Sequence, residues 1–256
     1  MPIIQSLDRA LKIIDLFDEM NKELKITEIS ARMGLHKSTV HSLLKTLQEH
    51  RYIDQDPETG KYRLGLKLME RASFVTQSLD IRTLSRRFLE ALSEQTGLTV
   101  HLVILDGKEG VYIDKVEGVN AVIRYSRIGK RVPVHSSAVG KALVAFKNPA
   151  ELNRMLEGYE YKIHTPSTIT NEFQFREELK KVRDNGYSTD CQENEPGVQC
   201  YAVPIRDHSG QVVAAISISM LAAGAVKEET DRFIGMLQSA GAEISRLMGC
   251  EVPVSR

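Results

Sequence analysis

The chain has 256 residues, 42% of them hydrophobic, and 34 Lys+Arg balance 34 Asp+Glu for a formal net charge of zero. This length buries a sizeable core as one large domain or as a small domain joined to a medium one, and two domains are expected. The balanced charge excludes a generally basic nucleic-acid coat or membrane-surface protein, so any DNA contact has to be a local patch.

The three cysteines Cys191, Cys200 and Cys250 form no C-x-x-C. Residues 1–8 carry no basic flank before an apolar run, and no later stretch approaches the roughly 20 apolar residues of a membrane span. Both features point to a reducing, cytoplasmic setting.

Ser6 is placed to cap a first helix with Leu7, Ala10, Leu11, Ile14 and Phe17 on one stripe, ending near Met20. Thr27 is placed to cap a short second helix, with Ile26 packed beneath it and Ile29 and Met33 on one face. Gly34 suits its C-terminus because it takes positive φ without steric cost. After the turn Gly34-Leu35-His36, a third helix carries Val40, Leu43, Leu44 and Leu47 on its core face. Short helix, glycine turn and longer helix make a helix-turn-helix.

The polar face of the third helix bears the groove-reading chemistry. Ser38, Ser42 and Lys45 fall opposite the leucines, with Thr39 and His41 flanking, while Lys37 to Thr39 present free N–H groups to a phosphate. Tyr52-Ile53-Asp54, a turn at Pro57-Glu58-Thr59-Gly60, and Lys61-Tyr62-Arg63-Leu64 read as a hairpin wing whose Lys61 and Arg63 face the DNA backbone. From Arg32 to Lys67 there are seven Lys/Arg against four Asp/Glu. Ordinary solvated helices carry the same residue types; it is the ordered set of three helices, a glycine turn and a basic-edged wing that favours DNA.

These segments, from Ile26-Thr27-Glu28-Ile29-Ser30 through Met33-Gly34-Leu35-His36-Lys37-Ser38-Thr39-Val40 and Leu43-Leu44-Lys45-Thr46-Leu47 to Tyr62-Arg63-Leu64-Gly65, resemble the DNA-binding half of the IclR family of bacterial regulators. The resemblance runs from Gln5 to Gly249. It implies a winged-helix dimer, or dimer of dimers, acting on a pseudo-palindromic operator, most often as a repressor, with a linker helix leading to a GAF/profilin-like effector domain. The expected division is 1–65 for the winged helix-turn-helix, 66–79 for the linker helix, and 80–250 for the effector-binding domain. Leu66, Met69, Ala72 or Ser73, and Val75 or Thr76 keep helical spacing through that linker. Asp80 is placed to cap the next helix, with Ile81, Leu84, Phe88 and Leu92 on one face and Gly97 at its end.

Beyond Thr99 the pattern turns to short β-rich runs at 100–105, 111–116, 121–125, 187–191, 200–205 and 212–220. Helices interrupt them, starting at Ser136 or Ser137 and running to Phe146, then at 149–157, 172–185 and 227–248. This is an α+β domain with a mainly antiparallel sheet.

Three segments of this domain look like a ligand site. Residues 132–142 run from a strand end into a small-residue helix start whose free N–H groups favour a carboxylate; Gly140-Lys141 lacks the other residues of a P-loop. Residues 186–205 contain Asp190, an acceptor for a ligand hydroxyl. In Ala215-Ile216-Ser217-Ile218-Ser219 the two serines share one face of a strand. In the IclR family these segments line the effector pocket. That implies contacts from Ala138, Val139, Asp190, Cys200, Ser217 and Ser219, with Ala121, Val132 and Val198 as apolar walls.

Segments Tyr125–Arg131, Leu156–Lys162 and Thr168–Thr170 resemble the family branch that senses 2-keto-3-deoxygluconate, and Asp190, Glu193, Glu195 and the Arg-rich stretch 124–131 supply polar reach for a six-carbon sugar acid. Glyoxylate, pyruvate or an aromatic acid is the alternative effector. His101, His135, Asp190, Cys191 and Cys200 have chemistry suited to zinc or nucleophilic catalysis, but without H-E-x-x-H, C-x-x-C or G-x-S-x-G spacing neither an enzyme nor a metal or cofactor site is expected.

Overall fold

The computed structural model describes residues 3–18, 20–71, 80–119, 126–223 and 226–251. Its contacts divide the chain into two units, Met1–Leu79 and Asp80–Arg256.

The first unit opens with α1 (Gln5–Ile14), α2 (Ile26–Met33) and α3 (Lys37–Glu49). Ser6 does not cap α1: Ile4 holds that position and no side chain closes the end. The core face also differs from expectation, because Ile13 and Phe17 are buried while Leu7 and Leu11 are 56% and 53% exposed. The apolar face of the helix is broad enough to hold Leu7 and Leu11 on one flank and Ile13 on the other, so Ala10-Ile13-Ile14-Phe17 satisfies the same helical spacing as the expected stripe. It stops at Ile14 rather than near Met20. Just beyond, Asp18 Oδ1 accepts from the Met20 and Asn21 N–H groups, an aspartate turn that competes with helix.

Lys25, not Thr27, sits at the start of α2, and its N–H donates to Glu28 Oε2 at 2.7 Å. Gly34 ends α2 with φ of 63°, as its lack of a Cβ allows. Val40, Leu44 and Leu47 of α3 are buried against Ile13, Ile29 and Ile53.

The wing is β1 (Ile53–Gln55) paired antiparallel with β2 (Tyr62–Leu64). Its tip is tied by Asp56 Oδ1, which accepts from the N–H groups of Glu58 and Thr59 and from Thr59 Oγ1. A contact not foreseen from the sequence adds Leu24 to the far side of β2, exchanging both backbone hydrogen bonds with Tyr62 at 3.0 and 2.8 Å. The wing is thereby anchored to the segment entering α2. Tyr62 points into the core, whereas Leu64 is 41% exposed. Residues 67–71 are helical; the remainder of the expected linker, 72–79, lies outside the described residues.

The second unit begins with α4 (Ile81–Thr96), capped by Asp80, which accepts from the Arg82 N–H, and closed by Gly97 at φ 68°. Its buried face is Ser85, Leu89, Leu92 and Ser93, displaced by about one residue from the expected stripe. Six strands follow: β3 (Thr99–Asp106), β4 (Glu109–Val116), β5 (Arg131–Pro133), β6 (Ser188–Cys191), β7 (Val198–Arg206) and β8 (Val212–Leu221). They form one antiparallel sheet in the order β5-β4-β3-β8-β7-β6. The short β5 matches the strand end expected at the start of residues 132–142, and the expected strand 121–125 lies outside the described residues.

Helices α5 (Ala138–Val144), α6 (Pro149–Leu156) and α7 (Glu172–Asn185) supply the core on one sheet face. Helix α4 and the long α8 (Lys227–Leu247) pack on the other. Alternation sorts the strands accordingly. Val100, Leu102, Ile216 and Ile218 turn toward α4 and α8, while Val103, Ala202 and Ala215 turn toward α5. Covering on both faces explains why β8 reads Val-Val-Ala-Ala-Ile with little polar alternation. No helix among the described residues is long and apolar enough to cross a membrane.

Candidate DNA-reading face and effector cavity

In the first unit α3 presents Lys37, Ser38, His41, Ser42 and Lys45 to solvent, with Thr39 half-buried. The Ser42 hydroxyl donates to the Ser38 carbonyl at 3.1 Å and Thr46 to the Ser42 carbonyl at 3.0 Å. Both oxygens keep acceptor capacity, and both hydroxyls rotate to donate elsewhere at little loss. His41, Ser42, Lys45, Thr46, Glu49 and His50 border a shallow depression along this face. On the wing Arg63 is exposed. Lys61 is half-buried and rests 3.5 Å from Glu23, an ion pair weak enough to be exchanged for a phosphate.

In the second unit the polar sites converge because of register. Asp190 on β6 faces Cys200 on β7, Cys200 faces Ser219 on β8, and Ser219 faces Thr99 on β3. The adjacent row on the same sheet face brings Ser217 beside His101. Above these rows, β5 turns into α5. Ser137 closes the turn, donating to the Pro133 carbonyl at 2.6 Å and accepting from the Gly140 N–H at 3.1 Å.

The rows and the turn enclose a cavity of about 340 Å³, a size in the range of small-metabolite sites. Val132, Ala138, Val139, Asp190, Val198, Cys200, Ser217 and Ser219 all line it; Ala121 lies outside the described residues. Lys130 and Arg131 from the Arg-rich stretch, and Glu195, line the cavity as well. Glu193 departs from expectation. Its carboxylate turns away from the cavity to meet the buried Lys141 ammonium at 2.6 Å, because an unpaired cation there would be strongly disfavoured.

His101, Glu109, Tyr112 and His164 line the cavity from outside the expected segments, whereas Ser137 and Asn194 fall within segments 132–142 and 186–205, and Ser126 and Lys162 within segments 125–131 and 156–162, without being named as contacts there. Local sequence offers His101 only as metal or catalytic chemistry, because the β3–β8 register that sets it beside Ser217 is not visible locally.

Burial pushes the Asp190 carboxyl up to about 7, against the N–H groups of Glu193 and Asn194 that both donate to Oδ1. Near neutrality it therefore both donates and accepts hydrogen bonds. Burial raises the Cys200 thiol, whose Sγ lies 3.1 Å from Ser219 Oγ, and likewise the Tyr112 phenol. These groups are neutral polar partners rather than nucleophiles. Among the described residues no three His, Cys, Asp or Glu side chains gather as a metal site.

Both halves of the chain match family models. The IclR helix-turn-helix domain covers residues 6–57 and the IclR C-terminal domain of bacterial transcriptional regulators covers residues 73–246. The chain is 55% identical over 249 residues to the HTH-type transcriptional regulator XynR of Escherichia coli, covering 97% of this chain and 99% of that one. It is 37% identical to the regulator KdgR of the same organism, covering 95% and 94%. The crystal structure of Thermotoga maritima IclR superposes with a TM-score of 0.65 at 36% identity, covering 96% of this chain and all of that one. Winged helix, antiparallel effector sheet and these matches together make the chain a member of the IclR family of bacterial transcriptional regulators, which bind DNA and are not enzymes.

Proposed function

We propose that this chain is a cytoplasmic repressor that binds a pseudo-palindromic operator as a dimer or dimer of dimers and is released by a small hydroxylated organic acid, with 2-keto-3-deoxygluconate the leading candidate. The observation that carries this reading is the convergence of β3, β6, β7, β8 and the β5–α5 turn on one cavity holding hydroxyl, carboxyl and cationic groups. Lys130, Arg131 and Lys162 give it cations for an acid, and Asp190, Ser217 and Ser219 give it partners for hydroxyls.

Residues 1–65 read DNA, through Lys37, Ser38, Thr39, His41, Ser42 and Lys45 in the major groove and Lys61 and Arg63 on the backbone. Residues 66–79 form the linker and 80–250 bind the effector. A second copy fits against α1, where Ile4, Leu7 and Leu11 leave an apolar stripe uncovered in the single chain. The effector acts only through different affinities for the DNA-competent and released arrangements.

Titration calorimetry of the full chain with 2-keto-3-deoxygluconate, glyoxylate and pyruvate tests the ligand. Heat with the sugar acid that also weakens binding to DNA fragments selected from a random library supports the reading. Binding of glyoxylate or pyruvate in its place moves the protein to another branch of the family, and salt-insensitive or absent DNA binding overturns the operator role.

A further inference from the structure

His101 lies on β3, 2% exposed, with its Nε2 2.7 Å from Ser126 Oγ. Both groups line the cavity, and Tyr112 lies against the imidazole with ring centroids 5.0 Å apart. Ser217 stands opposite His101 across the β3–β8 pair. Burial, reinforced by the nearby Lys115 ammonium, holds the His101 pKa down to about 3, so the ring is neutral at any physiological pH. The Lys115 charge is engaged by the Ser126 carbonyl at 2.9 Å and Glu117 at 2.7 Å.

Their mutual hydrogen bond uses one donor, so the neutral imidazole and the serine hydroxyl together keep one donor and spare acceptor capacity, which suits a ligand hydroxyl or carbonyl. A carboxylate at this end would be buried beside a ring that does not take up a proton, and desolvated charge without a partner is costly.

Given that the cavity is the effector site, we propose that His101 and Ser126 form a hydroxyl-reading pair that sets which organic acid is accepted, holding the neutral, hydroxylated end of a polyhydroxy acid while its carboxylate is bound elsewhere in the cavity. The Ser126 hydroxyl rotates to donate or accept, so the pair matches either tautomer of the imidazole. When an acid lacks the hydroxyl, the pair loses a buried partner. Sites built this way reject the shorter analogue far more strongly than apolar pockets reject a missing methylene.

The test is calorimetry of full-length wild type, Ser126→Ala, His101→Leu and His101→Gln with 2-keto-3-deoxygluconate and with pyruvate, each variant checked by thermal melting. The ratio of the two affinities is expected to fall about tenfold or more in Ser126→Ala and His101→Leu, and to be largely retained in His101→Gln, whose amide keeps a donor and an acceptor. Equal losses for both acids, an unchanged ratio, or a wild-type preference for pyruvate overturns the pair's role. Wild type that binds neither acid overturns the effector assignment itself, whereas binding with an unmoved ratio removes only the pair.

Discussion

The ammonium of Lys141 lies 2.6 Å from the Glu193 carboxylate, with the lysine side chain entirely shielded from solvent. The Thr189 carbonyl accepts a second hydrogen bond at 2.8 Å, and Glu178 stands 3.9 Å away. Glu193 belongs to the turn that carries Asn194 and Glu195 to the cavity. From the other side the Thr165 and Thr168 hydroxyls donate to the Gln192 and Glu193 carbonyls, both at 2.6 Å. One wall of the cavity thus rests on an ionic strut running from α5.

Lys141→Met leaves Glu193 buried without a counter-ion and is expected to destabilise the second unit by about 3–5 kcal/mol in urea denaturation. Adding Glu193→Gln to that variant is expected to recover much of the loss. A double variant as unstable as the single one would show that packing, not charge, sustains the strut.

Asp190 imposes a pH dependence. Its carboxyl is raised by burial from 3.8 to about 7, so between those values the folded chain keeps a proton that the unfolded chain has released. Stability is therefore expected to fall as pH climbs through that window and to level off above it, where both states are ionised. Asp190→Asn is expected to flatten the curve by an amount on the order of a few kcal/mol, read from melts across the window. Glu193, also raised by burial, contributes a residual slope of the same sign.

Lys45→Ala and Arg63→Ala are expected to weaken DNA binding and to lower the salt slope by about one counter-ion each. Lys61→Ala is expected to do less, since Lys61 first has to leave Glu23. Fluorescence anisotropy on a selected DNA fragment over a salt series measures all three.

Gly65→Ala is expected to destabilise the winged unit by about 1–3 kcal/mol in thermal melts. A Cβ at position 65 would stand 2.2 Å from the Arg51 carbonyl oxygen, and backbone does not yield as a flexible side chain does.

Helix α7 was legible to the residue, Glu172–Asn185, because its ends are marked by Asn171, which caps Gln174, and by Gly186 at φ 74°. Helix α1 was not: Leu7 and Ile13 are equally apolar, and only packing selects which side is buried. The glycine turn at Gly34 and the parity of Ser217 and Ser219 were readable because each depends on local geometry. The pairing of His101 with Ser126 was not legible because the two residues stand 25 positions apart and only the folded sheet brings them together. Glu193 was misjudged for a related reason, since its partner Lys141 sits 52 positions earlier.

The three hydrogen bonds that Asp56 accepts at the wing tip, with the Gln55 amide donating to the Gly60 carbonyl at 3.0 Å, have a kinetic and entropic meaning. A tip already locked in one conformation surrenders little freedom when it meets the DNA backbone, so the basic edge of the wing docks as a rigid tooth. Loosening it through Asp56→Ala would leave every cation in place and still slow productive encounter, with the loss appearing as disorder regained by the free protein rather than as a contact removed from the complex.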